Sequence, residues 1–277
     1  GKVNPSAKLP ETFPKQLEDN PSYLAGFGEG DHVEYREGIF VGYRYYDKKK
    51  MDVLFPFGYG LSYTTFAYSN LRLDKKTMKD TEELTVSVDV TNTGDRAGKE
   101  VVQLYVADKE STVIRPVKEL RDFVKIELAP GETKTVTFTL GKRAFAYYDV
   151  QIHDWQVETG EFEILIGASS RDIALRDTVT VESTVKIPFH YTTDTTMGDI
   201  MSRPEAWKLV QSVLSKGMFG QGSEVNEGGD AAKEAISDEM NAAMLQYMPL
   251  RGPVSFGGGV SMADVQKLVD RLNAMEK

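Results

Sequence analysis

Three acidic residues early in the chain are the first candidates for chemistry, because paired carboxyl groups can act as acid, base or nucleophile. They are Asp31, Glu34 and Glu37. Retaining hydrolysis of a glycosidic bond needs two carboxyl groups about 5–5.5 Å apart. The chain has 42 acidic residues, so some neighbouring pair is expected in any case. We favour the alternative that these acids are solvated or pair with Arg36 and Arg44.

A group of aromatic residues follows these acids and could form a platform for a sugar. Aromatic rings pack on the apolar faces of sugars, and tyrosine adds a hydroxyl group. The alternative, which we favour, is that the rings join two parts of the fold. The group consists of Tyr43, Tyr45, Tyr46, Phe55, Phe57, Tyr59, Tyr63 and Phe66.

Other catalytic chemistries find no support in the sequence. Gly26–Gly30 has phosphate-loop glycines but lacks the Lys-Ser/Thr that should follow. His32, His153 and His190 lack metal-ligand spacing, and the chain has no cysteine and no Gly-x-Ser-x-Gly elbow. We therefore expect neither a cofactor nor a metal. The charged stretch Asp47–Asp52 is expected to be a solvated turn.

Composition limits the class of protein. The chain has 277 residues, of which 40% are hydrophobic and 27% charged, as in globular proteins of one or two domains. A net charge of -9 argues against a nucleic-acid partner. No apolar run approaches the roughly 18 residues of a membrane helix, so no membrane partner is expected. The start at Gly1 without a methionine is interpreted as lying inside a longer gene product, which leaves cytoplasmic and secreted bacterial locations open.

The middle of the chain, residues 67–187, alternates between apolar and polar residues with a period of two. Alternating or strand-like segments are Leu84–Val90, Val101–Val106, Thr135–Leu140 and Phe162–Ile166. Turn-forming residues separate them at Asn92–Asp95, Ala129–Glu132 and Glu158–Glu161. Short strands with turns at such intervals predict an antiparallel β-sandwich.

The segment before the sandwich, residues 1–66, is rich in proline, glycine and aromatic residues. Only Gly38–Tyr46 resembles a buried strand or a short helix. This segment has too little regular pattern for a domain of its own. We interpret it as the closing edge of a domain whose larger part lies elsewhere.

The segment after the sandwich, residues 188–277, has a helical period. Ser202–Glu205 is interpreted as a capping box with proline in the first turn. Ser261–Asp264 opens a second helix, and a third is expected from about Ala231 to Tyr247. Gly252–Gly259 is expected to be a flexible connector. Such helices could form a small bundle or pack on another domain or subunit.

Three blocks in the first 66 residues resemble family-3 glycoside hydrolases, and β-glucosidases in particular. They are Asn4–Pro14, Tyr35–Asp47 and Leu54–Phe66. The resemblance continues in the sandwich, where Val90–Gly94, Val101–Val106 and Pro116–Phe123 are similar to the fibronectin-type-III-like domain that ends these enzymes. The resemblance covers about residues 1–187. Three blocks in this order and at this spacing are specific for the family.

The resemblance implies a C-terminal portion of a retaining, exo-acting enzyme that removes terminal β-linked sugars. In that family a β/α barrel supplies the nucleophilic Asp, and an α/β sandwich domain usually supplies the acid/base Glu. Both positions precede this segment, and no residue here matches either motif. The implied fold is mainly β, with the C-terminal edge of the α/β sandwich domain at 1–66, a fibronectin-III-like β-sandwich at 67–187 and a helical extension at 188–277.

The loop Ser111–Phe123 is longer than a tight hairpin needs and could shape the entrance to the active site in the barrel. The alternative, which we favour, is an interdomain loop held by salt bridges. The residues that we name as substrate-binding or domain-interface candidates are Tyr35, Arg36, Glu37, Tyr43, Arg44, Tyr45, Arg115 and Lys118.

Three hypotheses for function follow. In the first, the chain is a structural part of a β-glucosidase-like enzyme. Its partner is then the N-terminal barrel and α/β sandwich portion, from the same gene or a separate chain, through which it meets a β-glucoside or oligosaccharide substrate. In the second, it is a non-catalytic carbohydrate-binding module. In the third, it is an interaction protein whose helical tail docks a partner or forms a homodimer.

Overall fold

The computed structural model describes residues 1–24, 31–150, 152–213, 238–255 and 261–276. The chain divides into two compact units, Gly1–Val185 and Lys186–Lys277. Within the described residues, no helix is both long and apolar enough to cross a membrane. The glycine-rich run Gly26–Gly30 lies outside the described residues.

The first 66 residues contain little regular structure. Strand β1 (Phe13–Pro14) pairs antiparallel with β2 (Val53–Phe55), and helix α1 (Tyr43–Lys48) lies between them in the sequence. Helix α1 begins after Gly42, whose φ of 61° is in the left-handed region that favours glycine. Gly38–Tyr46 is thus a turn followed by the start of a short helix, and only its tyrosines 43 and 46 are buried.

A β-sandwich follows, as the alternating sequence predicts. One sheet has three strands in the order β3 (Phe66–Leu73), β5 (Leu84–Asn92), β8 (Thr133–Leu140). The other has the order β4 (Thr77–Lys79), β12 (Ile173–Glu182), β11 (Gly160–Gly167), β6 (Gly98–Asp108), β7 (Glu119–Leu128). Strands β9 (Tyr147–Asp149) and β10 (Asp154–Gln156) form a separate ribbon. Neighbouring strands are antiparallel except β4 and β12, which are parallel.

The sandwich core lies between the two sheets. Strand β5 buries every second side chain, because successive side chains of a strand point to opposite faces. Its inward residues meet apolar residues of the facing sheet, such as Leu104 on β6 and Phe162 on β11. The predicted mainly β fold with a fibronectin-III-like sandwich and a helical C-terminal part is confirmed.

The second unit is helical. Its helices are α2 (Met197–Met201), α3 (Pro204–Val213), α4 (Asp238–Tyr247), α5 (Gly252–Ser255) and α6 (Met262–Met275). The core includes Tyr191 and the apolar stripe that the sequence predicts for α6, namely Val265, Leu268, Val269 and Leu272.

The capping predictions for these helices have mixed outcomes. Helix α6 begins after Ser261, as predicted, and Ser261 caps it in a box with Asp264. The box predicted at Ser202–Glu205 is wrong, because Ser202 ends α2 and its hydroxyl donates to the Asp199 carbonyl at 2.7 Å. An unpredicted box lies at the start of α2, between Thr196 and Asp199.

The segments predicted to be a glycine-rich connector and a third helix are only partly described by the structure. The described part of the third helix begins at Asp238, and the predicted residues before it lie outside the described residues. Gly252–Ser255 forms a helical turn rather than the expected connector, and the rest of that connector is not described.

Candidate functional site

Tyr43 on α1 joins the N-terminal segment to the sandwich. Its ring stacks on Phe57 with centroids 4.8 Å apart and meets the edge of Tyr105 at 6.0 Å. Its hydroxyl accepts a hydrogen bond from the backbone N–H of Leu120 at 2.8 Å. Burial raises the pKa of the Tyr43 phenol, so this group stays neutral. Tyr43 is therefore a buried contact between the N-terminal segment and the sandwich, and not part of an open platform for sugar.

Asp47, at the end of α1, is the centre of a buried ion cluster. Its two carboxylate oxygens lie 2.6 Å from Lys118 Nζ and 3.0 Å from Arg171 Nε. Only 8% of the Asp47 side chain is exposed. The expected solvated turn at Asp47–Asp52 is therefore wrong at its first residue. This acid connects the N-terminal segment to two different loops of the sandwich.

Gln103 on β6 and Lys8 add polar links between the same two parts. The Gln103 amide nitrogen donates to the carbonyl oxygens of Gly58 at 3.1 Å and Ala168 at 2.7 Å. Lys8 Nζ lies 2.8 Å from Glu100 on the same strand. Sequence reasoning missed Gln103 and Lys8. Their signal was a polar side chain at an otherwise apolar strand position and a lysine within the first family block.

Arg115 is buried at the base of the loop Ser111–Phe123. Its guanidinium lies 2.8 Å from Asp108 and donates to the carbonyl oxygens of Phe145 at 3.0 Å and Ala146 at 3.4 Å. Burial is the main cause that raises the pKa of Asp108, and Arg115 opposes it. Arg115 thus fixes the base of the loop to the sandwich.

The Glu119 carboxylate contacts three guanidinium groups. Arg121 lies 2.6 Å from it, Arg44 3.3 Å and Arg115 3.6 Å. The Nε atoms of Arg44 and Arg121 are buried and have no hydrogen-bond acceptor. Burial lowers the pKa of Arg121, and repulsion from Arg115 and Arg44 lowers it further. Three cationic groups therefore share this one carboxylate.

A groove of about 530 Å³ opens above this cluster. We call it the arginine groove. Arg143 lies flat over the Trp155 ring, with its guanidinium carbon 3.4 Å from the ring centroid. The residues that line the groove include Arg44, Arg115, Glu119, Arg121, Arg143, Tyr147, Tyr148 and Trp155, with Ile39, Val113, Ile114 and Val150 as aliphatic members.

Comparison with known proteins agrees with the motifs in the sequence. A fibronectin type III-like domain model matches residues 100–170. A thermostable β-glucosidase B of Acetivibrio thermocellus is 52% identical over 277 residues, which are 100% of this chain and 36% of that protein. β-Glucosidase BoGH3A of Bacteroides ovatus is 50% identical over 188 residues, which are 66% of this chain and 25% of that protein.

A solved structure gives the same result. The GH3 β-glucosidase of Bifidobacterium adolescentis matches with a TM-score of 0.67 and 43% identity, over 76% of this chain and 31% of that one. The chain matches the C-terminal region of family-3 glycoside hydrolases. It spans about a third or less of the length of these relatives.

The early acids of the sequence, Asp31, Glu34 and Glu37, lie in the N-terminal segment. Glu34 pairs with Arg36, as expected, and both side chains are largely exposed. Arg44, the other expected partner, instead pairs with Glu119. In the described ranges, no group of three or more His, Cys, Asp or Glu residues could hold a metal ion.

The remaining predicted site residues lie at different places. Tyr45 on α1 packs edge-on against Tyr46 at 5.4 Å. Tyr35 is exposed, and Glu37 lines a shallow depression beside Tyr45. The structure thus brings Tyr43, Arg44, Arg115 and Lys118 to the junction between the N-terminal segment and the sandwich, whereas Tyr35 and Arg36 are at the outer surface of the segment.

Proposed function

We propose that this chain is the C-terminal structural part of a retaining, exo-acting β-glucosidase-like enzyme that removes terminal β-linked sugars. The N-terminal barrel and α/β sandwich portion would supply the catalytic Asp and Glu. The domains would divide at 1–66, 67–187 and 188–277. One observation carries the proposal: residues 1–66 are attached to the sandwich by buried contacts and also expose several large apolar side chains.

The exposed side of this segment has the character of a covered surface. Leu24 and Tyr35 are 85% and 84% exposed, and Leu17, Val41 and Leu61 are also largely in solvent. Soluble proteins rarely expose large contiguous apolar patches without a partner. Strands β1 and β2 form only a two-stranded ribbon, which is marginally stable by itself. A larger body against this side would bury these side chains and extend the ribbon.

The attached side explains what the segment would do for the enzyme. Tyr43, Asp47 and Gln103 fix it to the sandwich through ring contacts, ion pairs and hydrogen bonds. A segment that belongs to the α/β domain and is fixed to the β-sandwich would hold these two domains together. The sandwich would then act on catalysis only by keeping the other domains in place.

The acids of the junction are unsuited to catalysis, which supports the absence of the catalytic pair from this chain. Asp47 and Glu119 are held in ion pairs with two and three cationic groups. Such contacts stabilise the carboxylate and use its oxygens, so the acid neither attacks a sugar nor gives up a proton readily. Tyr35, Arg36, Glu37 and Tyr45 would instead contact the larger body or the substrate at its edge.

The test is an assay with an aryl β-glucoside. The purified chain should show no turnover above buffer, because it lacks the catalytic pair. Addition of the separately produced N-terminal part of the parent enzyme should produce activity that saturates with the concentration of the chain. A matched control that lacks residues 1–66 should not restore activity, since it lacks the connecting segment. Robust turnover by the chain alone would refute the proposal.

A further inference from the structure

Three guanidinium groups in the arginine groove compete for few carboxylate oxygens. Arg44, Arg115 and Arg121 share one carboxylate, that of Glu119. Arg115 also has Asp108 beneath it. Three guanidinium groups therefore share two carboxylates in these contacts. Arg143 is a fourth arginine in the lining of the groove.

The other acids near the groove have contacts of their own. Glu158 accepts hydrogen bonds from the hydroxyl groups of Ser111 and Thr112 and from the Thr112 backbone N–H. Asp149 lines the groove and also has a contact. Both acids nevertheless place negative charge near the groove, so the need of the groove for a ligand depends on its unpartnered donors and not on a net charge.

Two donors in the cluster lack an acceptor. The Nε atoms of Arg44 and Arg121 are buried, and no oxygen accepts from either. Buried polar groups in native structures nearly always have a partner, and a missing partner is especially unfavourable for a charged group. A carboxylate matches the geometry and charge of guanidinium donors best. The cluster is therefore incomplete and calls for an added carboxylate.

The walls of the groove indicate a protein and not a sugar as the source of that carboxylate. Arg143 covers one face of Trp155, Tyr148 packs at 5.5 Å from it, and the ring is partly buried against the sandwich core, which leaves little of it for a sugar. The open rim is aliphatic, with Ile114 74% exposed and Val150 72% exposed. Ile39 continues this rim onto the exposed apolar side of residues 1–66.

We propose that the arginine groove receives an Asp or Glu side chain, flanked by aliphatic residues, from the N-terminal part of the parent enzyme. This inference rests on the proposed function. The acid completes the cluster around Glu119, and its aliphatic neighbours cover Ile114 and Val150. The loop Ser111–Phe123 then serves as a docking element between domains, which gives its length a purpose.

The test uses the full chain with the N-terminal part as a separate polypeptide. A pair of variants at one exposed position, Ile114→Glu and Ile114→Lys, loses the same aliphatic contact but adds opposite charges. We expect Ile114→Glu to raise the chain concentration that restores half of the activity by about 10-fold or more, because like charges repel across an interface. Ile114→Lys should raise it by about 3-fold or less. Arg72→Gln removes a charge far from the groove, on β3, and is the control.

A second readout does not depend on activity. The chain has two tryptophans, Trp155 in the groove and Trp207 in the helical unit. In the Trp207→Phe background, binding of the N-terminal part should shift the fluorescence of Trp155. Arg121→Met should weaken this binding by about 10-fold while the free chain keeps its circular dichroism spectrum.

The outcomes separate the two proposals. Restored activity with equal half-saturating concentrations for the wild type, both Ile114 variants and Arg121→Met would overturn the docking site but leave the proposed function intact. Failure of the wild-type chain to restore any activity would overturn the proposed function and the docking site with it. A weaker Ile114→Glu variant and an unaffected Arg72→Gln variant would support the docking site.

Discussion

Replacement of Asp47 by alanine should release the N-terminal segment from the sandwich. The change removes one carboxylate that two cations share, Lys118 at 2.6 Å and Arg171 at 3.0 Å. The Lys118 side chain is only 11% exposed and would remain buried without a partner, whereas Arg171 is 31% exposed and can turn to water. Loss of one partner of a buried ion pair costs about 3–5 kcal/mol.

An exposed ion pair of similar geometry supplies the control for this variant. Lys15 and Asp52 are also 3.0 Å apart, but their side chains are 55% and 86% exposed. Exposed pairs contribute about 0–1 kcal/mol, so Asp52→Ala should have a small effect. The two substitutions remove the same chemical group and differ in burial. Their difference isolates the contribution of the buried position.

Hydrogen exchange read by mass spectrometry measures the local opening directly. The amide groups of Lys49 and Met51 donate within the turn that ends α1 and should report release of the segment. A loss of about 3 kcal/mol corresponds to about 100-fold faster exchange there. A peptide from strand β5 should be unaffected. Equal exchange of the α1 peptide in the Asp47→Ala and Asp52→Ala variants would refute the reasoning.

The remaining predictions concern the cores of both units and sugar binding. Asn92→Ala should lower the free energy of unfolding of the sandwich by at least about 2 kcal/mol in urea, because the side chain bonds Leu128 and three other groups. Gly58→Ala should destabilise more than Gly131→Ala in the same assay, since both have positive φ but only at residue 58 would a Cβ collide, with Gln103; equal losses would contradict this. Burial and the Glu276 hydrogen bond raise the pKa of Tyr191 to about 12, so the helical unit should lose stability as pH rises from about 10 through 12, and Tyr191→Phe should abolish this loss. In a pull-down on insoluble glucan the chain should stay in solution; retention would favour the carbohydrate-binding alternative.

Sequence pattern was sufficient for the sandwich because its core is a strict alternation. Every second residue from Leu84 to Val90 is buried, so the spacing of apolar residues in the sequence directly marks the buried positions. The start and the apolar stripe of α6 were likewise visible in the sequence. Local pattern failed at Ser202, where two helices meet and the same serine could serve the end of one or the start of the next.

The junction was less accessible to sequence reasoning because its partners are far apart in the chain. Lys118 and Arg171 are respectively 71 and 124 residues from Asp47, and nothing in local charge spacing pairs them. The family motifs identified the blocks that hold Asp47 and Lys118 but not the contact between them. The convergence of Arg44, Arg115 and Arg121 on Glu119 likewise depends on how α1 and the loop meet.

The polar links at Gln103 and Lys8 have a consequence for how such domains are exchanged between genes in evolution. A breakpoint at residue 66/67 would cut the chain between the two sides of these links. The transplanted sandwich would carry Gln103 and Glu100 without Gly58 and Lys8. Gln103 and Glu100 would then each lose one of their partners. We therefore expect successful gene fusions to transfer residues 1–66 together with the sandwich.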